Sequence, residues 1–390
     1  MKNSYDVIVA GAGPAGSFTA AMLARSDLDV LLLDKKSFPR DKTCGDGLSS
    51  GVMDILVQAG LEPEIEEALQ NGSFYPLTHM NLVSPAGKKL VAPLAEGNGN
   101  IKPCVARRTI FDTLLQRYAL KMGAEFQNFK VLHPLVEKGM VVGVEVEGQG
   151  GAKQQIEAKV VVGAEGVASP TAKSMRKENS YKDRHQAIAI RAYLEGIQIK
   201  PHQAEFFLYK EILPGYAWIF PIGENRANIG LGMRLDYYHK TKGSLKSMLQ
   251  AFIQFPDIRE RLLQDWRLED IAGWPLNFGS QRGLQYIFNG ALLVGDAAGF
   301  TSPLTGGGIH RSLLSASLAA ETIKKALSRG DLSRGGLLEY EHLCRKNLLA
   351  DLRYLYYAQN LLLHFPALIN PLFSRNRTSK ALIRLISKKL

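Results

Sequence analysis

The sequence predicts an α/β protein in which a doubly wound, mostly parallel sheet is interrupted by an inserted antiparallel sheet and followed by a helical segment. The first observation is an apolar strand, a glycine loop, a small-residue helix and a second apolar strand, "YDVIVAGAGPAGSFTAAMLARSDLDVLLLDKK". The second is a series of alternating apolar and polar runs between residues 181 and 234, typical of strands with one buried face. The third is a late apolar strand, "NGALLVG", followed by a long helix, so that the parallel sheet resumes after the insertion.

Length and charge limit the class of protein. The 390 residues suggest about two domains, and a content of 46% hydrophobic and 22% charged residues is ordinary for a globular chain. The net charge of +11 suits an anionic lipid surface or an anionic substrate, although a solvated basic surface explains it equally well. No nucleic-acid-binding motif accompanies this charge, so we expect no nucleic acid partner.

Cysteine content and hydropathy indicate the compartment. The three cysteines, Cys44, Cys104 and Cys344, fit a reducing cytoplasm and offer neither a disulfide framework nor the spacing of a zinc site. The N-terminal apolar run leads directly into a glycine loop, unlike a signal peptide, and no stretch is long and apolar enough to span a bilayer. We therefore expect a cytoplasmic protein without a metal, with peripheral membrane contact left open.

The first loop carries the spacing G-x-G-x-x-G. Gly11 permits a tight turn, Gly13 lets the backbone approach a pyrophosphate, and Gly16 allows close packing of helix on strand. Asp34, at the end of the second strand, is placed to accept hydrogen bonds from a ribose hydroxyl. Because strand, helix and acid all stand where the motif requires them, the loop predicts a dinucleotide site, without separating NAD from FAD. Three neighbours complete the predicted contacts: Pro14, Ala15 and Lys35.

Between the second strand and the antiparallel sheet, the sequence predicts several short helices and strands. A charged, glycine-rich loop at residues 36–50 precedes a predicted helix from about Val52 to Leu69 and two short strands around a Pro-Ala-Gly turn. An amphipathic helix that starts at "RRTIFD" is predicted to end at Gly123 and to lead into a strand. A hairpin with the glycine turn "EGQGG" then precedes a very apolar strand.

The second half of the chain supplies the antiparallel sheet. Strands are predicted at "HQAIAIRAYLEG", "QAEFFLYK", "GYAWIFPIG" and "RANIGLGMR", followed by a helical stretch, "GWPLNFG", the late apolar strand and the long helix. We therefore expect a split nucleotide domain at residues 1–70, 103–180 and 285–330, a substrate domain at residues 71–102 and 181–284, and a basic helical segment at residues 331–390.

The segment "ALLVGDAAGFTSPLTGGGIHRSLLSA" resembles the second FAD fingerprint of the flavoproteins that include the aromatic hydroxylases. The resemblance implies a Rossmann-type FAD-binding domain in which Asp296 holds the ribitol chain. It also implies that a glycine cluster and the helix after it bring backbone amides to the flavin ring, where a helix N-terminus stabilises the negative charge of the reduced form. The residues concerned are Gly306, Gly307, Gly308 and Ile309.

Two other matches are less direct. Arg108 stands where this group of flavoproteins commonly has an arginine that contacts the FAD phosphates or ribityl region, with Arg107 as a neighbouring substitute and a surface arginine as the alternative. In the middle fingerprint, "VVVGAEGVASPTAK", Glu165 and Lys173 stand where the group usually has Asp and Arg. Both departures keep the charge.

The loop "KTCGDGLS" and the strand "PGYAWIFPIG", together with "SPLTGGGI", resemble the geranylgeranyl reductase family, over most of the chain to about residue 330. Flavin-dependent halogenases carry a related Trp-x-Trp-x-Ile-Pro, and aromatic hydroxylases lack the cysteine loop. The resemblance implies an FAD-dependent reductase of lipid biosynthesis that saturates C=C double bonds of a geranylgeranyl-type isoprenoid chain. The implied electron donor is NADPH or reduced ferredoxin, and the sequence does not decide between them.

Three aromatic residues alternate along the "YAWIFP" strand and therefore face one side: Tyr216, Trp218 and Phe220. Flat, rigid side chains suit an isoprenoid, which offers only dispersion and hydrophobic contact. We interpret Tyr216 and Trp218 as the wall of an apolar tunnel that leads to the flavin. Phe220 is either part of that wall or plain core.

Alkene reduction needs a hydride and a proton. Cys44, beside Gly45 in a loop expected at the cofactor, is the predicted proton donor, because a thiol is mostly protonated at neutral pH. It could instead set the loop over the flavin, or simply pack. His310, after the glycine cluster, is a second candidate, although a helix histidine more often packs or faces water.

The C-terminal tail "FSRNRTSKALIRLISKKL" has six basic residues and no acidic one, with Leu and Ile between them. This pattern predicts contact with an anionic membrane surface, or else a solvated helical cap. Two rival functions stay open: a flavin-dependent monooxygenase or halogenase acting on an aromatic or polyketide substrate, and a non-catalytic lipid-binding flavoprotein. The sequence does not determine the head group, the number of bonds reduced, an electron-donor protein or the oligomeric state.

Overall fold

The computed structural model describes residues 2–94, 101–176, 181–364 and 373. Its helices are α1 Pro14–Ala24, α2 Ser50–Gln58, α3 Glu62–Gln70, α4 Arg108–Lys121, α5 Pro170–Arg176, α6 Leu235–Tyr238, α7 Leu245–Ile253, α8 Pro256–Arg259, α9 Gly295–Ala298, α10 Ile309–Arg329, α11 Leu338–Cys344 and α12 Ala350–His364. A 3₁₀ turn at Asp183–His185 and a π-helical turn at Arg345–Leu349 add to these.

The strands form three sheets. They are β1 Ser4–Ala10, β2 Val30–Leu33, β3 Gly47–Leu48, β4 Phe74–Pro76, β5 His79–Val83, β6 Lys89–Pro93, β7 Cys104–Ala106, β8 Glu125–Gln127, β9 Lys130–Glu137, β10 Met140–Glu147, β11 Lys153–Gly163, β12 Gln186–Ile197, β13 Gln203–Phe207, β14 Tyr216–Gly223, β15 Arg226–Arg234, β16 Leu262–Asn277, β17 Ile287–Phe288 and β18 Ala291–Leu293.

The first sheet has a parallel core of five strands in the order β18, β11, β1, β2 and β8. Strands buried on both faces need nearly continuous apolar sequence, which β1 and β2 supply. Helices α4 and α10 pack against α1 beside this sheet. The hairpin of β9 and β10 extends β11 in antiparallel fashion, and β17 pairs antiparallel with β18. The predicted α/β fold with a mostly parallel sheet is confirmed.

The second sheet has seven strands in the order β16, β12, β15, β14, β13, β5 and β6. Every neighbouring pair is antiparallel except β13 and β5, which run parallel. The parallel pair arises because β5 and β6 form a hairpin from an earlier part of the chain, and this hairpin joins the edge of the later meander. The inserted sheet is therefore confirmed, with one parallel pairing that sequence alternation alone did not reveal.

Two local predictions differ from the structure. The single helix expected from about Val52 to Leu69 is two helices, because Gly60 adopts a left-handed φ of +87° and Pro63 stands in the first turn of α3. The segment interpreted as a helical stretch before "GWPLNFG" contains short helices and then β16, a 16-residue strand. Strand β16 lies at the edge of its sheet and has mostly exposed and half-buried residues. Its sequence is therefore rich in charged residues, and such a sequence does not predict a strand.

The predicted domain boundaries stay a prediction. Strand β4 lies in the segment assigned to the substrate domain, and β7 lies in the segment assigned to the nucleotide domain. Nevertheless the two strands pair in the small third sheet, which also contains β3. The C-terminal helical segment is described as far as residue 364, and of the basic tail only Phe373 is described.

The turn between β1 and α1 is closely packed on itself. Gly11 has a φ of +98°, a conformation that favours glycine. A Cβ atom at Gly16 would lie 1.7 Å from the carbonyl oxygen of Gly11. The first turn of α1 therefore approaches the loop backbone as closely as only glycine allows.

This contact makes Gly16→Ala a sharp test of the packing. We expect the substitution to lower the free energy of unfolding by about 1–3 kcal/mol or more, because the added methyl group forces the helix away from the loop. Thermal and urea denaturation would measure the loss. The matched control is Gly150→Ala, at an exposed glycine where a Cβ meets nothing within 4 Å. Equal stability of the two variants would contradict the packing argument.

Candidate active site

A cavity of about 550 Å³ is lined by residues of both large sheets and of the loop after β2. A volume of this size is typical of a cofactor or substrate site. It brings together sixteen of the predicted site residues, namely Gly11, Gly13, Pro14, Ala15, Asp34, Lys35, Cys44, Gly45, Arg108, Tyr216, Trp218, Phe220, Asp296, Gly306, Gly308 and Ile309. Three predicted residues, Gly16, Gly307 and His310, do not line it.

A smaller cavity of about 140 Å³ shares part of this wall. Cys44, Tyr216 and Phe220 line both cavities, together with glycines 45, 306 and 308. The smaller cavity adds Gly307, His310 and apolar side chains such as Leu77 and Phe206. The Cys44 loop and β14 therefore stand where the two spaces meet.

At one end of the larger cavity, the Asp34 carboxylate organises the glycine loop. Its Oδ2 accepts a hydrogen bond from the backbone N–H of Ala12 at 3.0 Å, and its Oδ1 accepts from that of Lys36 at 3.0 Å. Arg40 lies 3.3 Å from the same carboxylate and 3.0 Å from Asp112. A carboxylate has about four acceptor positions, so Asp34 keeps capacity for a ligand hydroxyl.

The same end has the features that an anionic dinucleotide needs. The buried Nε of Arg40 has no hydrogen-bond partner among the described residues. A Cβ at Gly13 would meet only the Arg40 side chain, at 3.8 Å, so the loop backbone is open to a close approach from the cavity. The residues present therefore fit the pyrophosphate and ribose of FAD. Arg40 lies in loop 36–50, and no sequence motif predicted it at this site.

Arg108 is 3% exposed and forms a bidentate pair with the fully buried Asp112, at 2.6 and 2.7 Å. Two of its nitrogen atoms are thus engaged within α4, while the side chain still lines the cavity. Arg107 does not line the cavity: its guanidinium lies 4.1 Å from the centre of the Tyr193 ring and pairs with Asp270 at 3.4 Å.

Asp296 lies where the late strand gives way to the glycine cluster. Its Oδ1 accepts from Thr301 Oγ1 at 3.0 Å, and Lys42 Nζ lies 3.8 Å from its Oδ2. Lys42 also lies over the ring of Trp274, and burial lowers its pKa. The 21-residue helix α10 begins at Ile309, so its N-terminus lies at the cavity wall.

The middle fingerprint places four residues at the cavity, namely Ala164, Glu165, Gly166 and Ala168, and Glu165 is the charged one. Glu165 lines it, accepts hydrogen bonds from Ser169 Oγ at 2.5 Å and from Thr171 Oγ1, and has a pKa that burial raises. Lys173 is exposed and does not line the cavity.

The aromatic strand forms one wall. Ring centres of Tyr216 and Trp218 are 6.0 Å apart, and those of Trp218 and Phe220 are 6.2 Å apart. Phe206 on β13 joins this wall at 5.1 Å from Phe220. The Tyr216 hydroxyl donates to the carbonyl of Thr305, which ties the strand to the glycine cluster.

The Cys44 loop rests on this aromatic wall. A Cβ at Gly45 would lie 3.2 Å from the Phe220 ring and 3.5 Å from Trp218 Nε1. Cys44 is partly exposed, whereas Cys104 and Cys344 are fully buried, and burial raises the pKa of Cys344 to about 12. Cys44 is thus the cysteine that reaches the cavities.

His310 has a different position. It lines the smaller cavity, and its ring lies against Gly51, where a Cβ would come within 2.9 Å of it. The two candidate proton donors therefore meet at the smaller cavity, and Cys44 alone of the two lines the larger one.

Besides Arg40, two further charged residues of the larger cavity, Arg191 and Lys42, were not predicted by any sequence motif. Arg191 on β12 is fully buried, pairs with Asp41 at 2.5 Å, and has an Nε without a hydrogen-bond partner among the described residues. Lys42 reaches the cavity from loop 36–50. Both were predicted only as members of a strand or a charged loop, because their placement depends on contacts between the two sheets.

Within residues 2–94, 101–176 and 181–364, no group of three or more His, Cys, Asp or Glu side chains is arranged to hold a metal ion. Over the same described ranges, every helix is too short or too polar to span a bilayer.

Comparison with known proteins identifies the family. The model of the FAD binding domain family matches residues 4–350. The chain is 33% identical over 341 residues to digeranylgeranylglycerophospholipid reductase 2 of Methanopyrus kandleri, covering 86% of this chain and 81% of that protein. It is also 33% identical over 338 residues to digeranylgeranylglycerophospholipid reductase of Methanosarcina acetivorans, covering 85% and 78% of the two chains.

A solved structure agrees with these sequence relatives. A geranylgeranyl bacteriochlorophyll reductase-like protein of Thermoplasma acidophilum superposes with a TM-score of 0.82 at 26% identity, over 92% of this chain and 87% of that one. A flavin-dependent brominase has a TM-score of 0.78 at 21% identity, over 98% and 93% of the two chains, which shows a shared fold alone. The chain therefore belongs to the FAD binding domain family and, within it, to the geranylgeranyl reductase family of FAD-dependent oxidoreductases.

Proposed function

We propose that this chain saturates C=C double bonds of a geranylgeranyl-type isoprenoid chain carried by a lipid or a small molecule. The observation that carries the proposal is the meeting of the Cys44 loop with the aromatic face of β14 at the junction of the two cavities. The reductases named in the comparison support it, since they are similar over most of their length. FAD, once reduced, supplies the hydride that such a reaction requires.

The chain's own residues would hold and orient the cofactor. The glycine loop, with Asp34 and Arg40, suits the ribose and pyrophosphate, because it combines a loop backbone at the cavity with a buried cation whose Nε–H has no hydrogen-bond partner in the part of the chain that the structure describes. Asp296 and the N-terminus of α10 line the same cavity, and a helix N-terminus favours negative charge. Arg108, already paired with Asp112, would contribute mainly a fixed positive charge.

The substrate face is apolar and rigid. Tyr216, Trp218 and Phe220 present adjoining rings to the cavities, and Leu77 and Phe206 continue the apolar wall into the smaller one. An extended isoprenoid gains free energy from such a wall through buried area and dispersion. The wall also excludes water, which protects a site where hydride transfer competes with other reactions.

We assign the proton donor to Cys44. Its side chain lies at the junction of the two cavities, and the other two cysteines are buried away from both. The remaining alkene carbon needs a proton at the time of reduction, and a protonated thiol held at the wall can donate it. The electron donor stays a choice between NADPH and reduced ferredoxin, the latter requiring a protein partner.

A peripheral membrane contact is also part of the proposal. The outer face of α12 exposes Tyr354, Tyr357 and Leu361 at helical spacing, and the preceding turn exposes Arg345 and Lys346. Aromatic and apolar side chains flanked by cations suit the interface of an anionic bilayer. The opposite face of the same helix places Gln359 at the larger cavity. The basic tail beyond it lies outside the described residues except for Phe373.

The reaction itself is tested on purified, chemically reduced protein without oxygen. We expect a geranylgeranyl lipid to gain whole pairs of hydrogen atoms, counted by mass spectrometry. An unchanged lipid, combined with rapid oxygen consumption in the presence of an aromatic compound and halide, would support a monooxygenase or halogenase instead. If the protein binds flavin but neither reduces the lipid nor consumes oxygen with such a compound, the result would support a non-catalytic lipid-binding flavoprotein.

Replacement of the proposed proton donor should separate chemistry from binding. We expect Cys44→Ser to lower turnover by about a hundredfold, the order that a positioned general acid contributes, with flavin content unchanged. His310→Gln, at the rival donor, should lower turnover less than tenfold. A larger loss in the histidine variant than in the cysteine variant would transfer the role to His310.

The membrane contact is tested by sedimentation with phosphatidylglycerol vesicles. We expect the triple substitution Tyr354→Ser, Tyr357→Ser and Leu361→Ser to weaken binding by about tenfold, because the buried apolar area is lost. Val136→Ser, at an equally exposed apolar residue of β9, is the matched control and should bind as the unmodified protein does. Equal binding of all three proteins would exclude α12 as the contact.

A further inference from the structure

Asp46 is a fully buried carboxylate two residues after Cys44, and neither the sequence motif nor the proposed reaction assigns it a role. Its backbone φ is +63°, a left-handed conformation that Asp and Asn tolerate better than most residues. Its Oδ2 accepts hydrogen bonds from Tyr193 Oη at 2.7 Å and from Asn228 Nδ2 at 2.8 Å. Its Oδ1 has no hydrogen-bond partner among the described residues.

Asn228, on β15, connects this carboxylate to the site. Its Nδ2 donates to the carbonyl of Cys44 at 2.8 Å as well as to Asp46, and its Oδ1 accepts from Trp218 Nε1 at 2.8 Å. An indole N–H can only donate, and a carboxylate and a carbonyl can only accept. The orientation of the amide is therefore fixed, and one side chain joins the cysteine loop to the aromatic strand.

Charged groups surround Asp46 on several elements. The guanidinium groups of Arg107 and Arg191 lie over the Tyr193 ring, at 4.1 and 4.3 Å from its centre. Arg191 on β12 and Arg108 on α4 favour the ionised carboxyl, and the hydrogen bonds from Tyr193 and Asn228 do the same. Burial outweighs them and raises the pKa of Asp46 to about 6.

The raised pKa of Asp46 makes its contribution to stability depend on pH. A carboxyl whose pKa is raised on folding favours folding fully only below its ordinary pKa, and this contribution is lost as the pH rises through about 6. Above that pH, the ionised, buried Asp46 makes the fold less stable than a neutral isostere would.

We propose that Asp46 is a positioning residue that, through Asn228, fixes the Cys44 loop against Trp218 and so holds the thiol at the junction of the two cavities. Only the role of Cys44 in turnover rests on the proposed function, since the positioning of the loop is argued from the hydrogen bonds alone. Without the Asp46 acceptor, Asn228 loses one of the three groups that orient its amide, so the donor to the Cys44 carbonyl is held less firmly. The loop then leaves the aromatic wall more often.

The test measures how fast Cys44 is alkylated in the folded protein, followed by mass spectrometry of the peptide that contains it. Cys104 and Cys344 are fully buried, so the native-state signal comes from Cys44. We expect Asp46→Ala to accelerate alkylation about tenfold, since two hydrogen bonds are lost, and Asp46→Asn to stay within about twofold because its amide oxygen still accepts both. Asn228→Ser repeats the test if Asp46→Ala does not fold.

Tyr193→Phe is the matched control. It removes a hydrogen bond of similar length to the same oxygen atom but leaves the path from Asn228 to Cys44 intact. Alkylation within about twofold of the unmodified rate is expected, since the lost bond is not the bridging one. Equal acceleration in Tyr193→Phe and Asp46→Ala, or no acceleration in Asp46→Ala, would overturn the proposal.

The pH dependence of stability gives a second readout. Asp46→Asn should raise Tm above that of the unmodified protein at pH 7.5, and the difference should vanish as the pH falls through about 6 towards 4. A lower Tm for Asp46→Asn at pH 7.5 would identify Asp46 as a stabilising core residue and overturn the positioning role.

Steady-state turnover distinguishes lost alignment of Cys44 from lost substrate binding. With a reducible geranylgeranyl lipid, Asp46→Ala should lower kcat about tenfold with KM within about threefold, and Asp46→Asn should restore it, as expected for a lost alignment rather than lost binding. Failure of the unmodified protein to reduce any such lipid would refute the proposed function, while the alkylation rates would still decide whether Asp46 positions Cys44.

Discussion

The site of this protein depends on one crossing, where the loop after β2 lies across the aromatic strand β14. Glycine at position 45 favours the crossing, since a Cβ there would lie 3.2 Å from the Phe220 ring and the ring would have to move by a few tenths of an ångström. The Asn228 amide completes it by joining Trp218, Cys44 and Asp46. Buried polar groups that lose their partners are costly, so a network whose hydrogen bonds are largely satisfied favours a single arrangement of loop and strand.

Electrostatics organise the part of the cavity wall around Arg40 in a similar way. Arg40 lies between the carboxylates of Asp34 and Asp112, and Asp112 also binds Arg108. Burying charges is expensive unless they are paired, and here β2, α4 and the intervening loop each contribute to the pairing. The cluster therefore holds its cations in place before any ligand binds, which is the condition for electrostatic preorganisation.

The fold alone does not select the reaction. A flavin-dependent brominase superposes on nearly the whole chain at 21% identity, so the same scaffold accompanies another chemistry. We propose that a few residues of the cavity wall favour alkene reduction, above all Cys44 and the aromatic face that begins at Tyr216. These belong to a loop and to the inserted sheet, where a shared scaffold leaves most freedom for variation.

The sequence by itself determined the parallel sheet, the glycine turn and the inserted strands, because these follow from local rules. Apolar runs such as β1 fit a strand buried on both faces, and the spacing of Gly11, Gly13 and Gly16 matches one turn geometry. The break at Gly60 and the strand β16 escaped these rules, since one depends on a single backbone conformation and the other on pairing at a sheet edge.

Tertiary structure decided which side chains meet. Motifs named Cys44, Asp296 and Trp218 separately, but no sequence pattern placed Arg40 beside Asp112, Arg191 in the cavity wall, or Asn228 between Cys44 and Trp218. Residue Asn228 is 184 positions from Cys44 along the chain. Such contacts depend on the relative position of elements that are distant in sequence, which local periodicity does not encode.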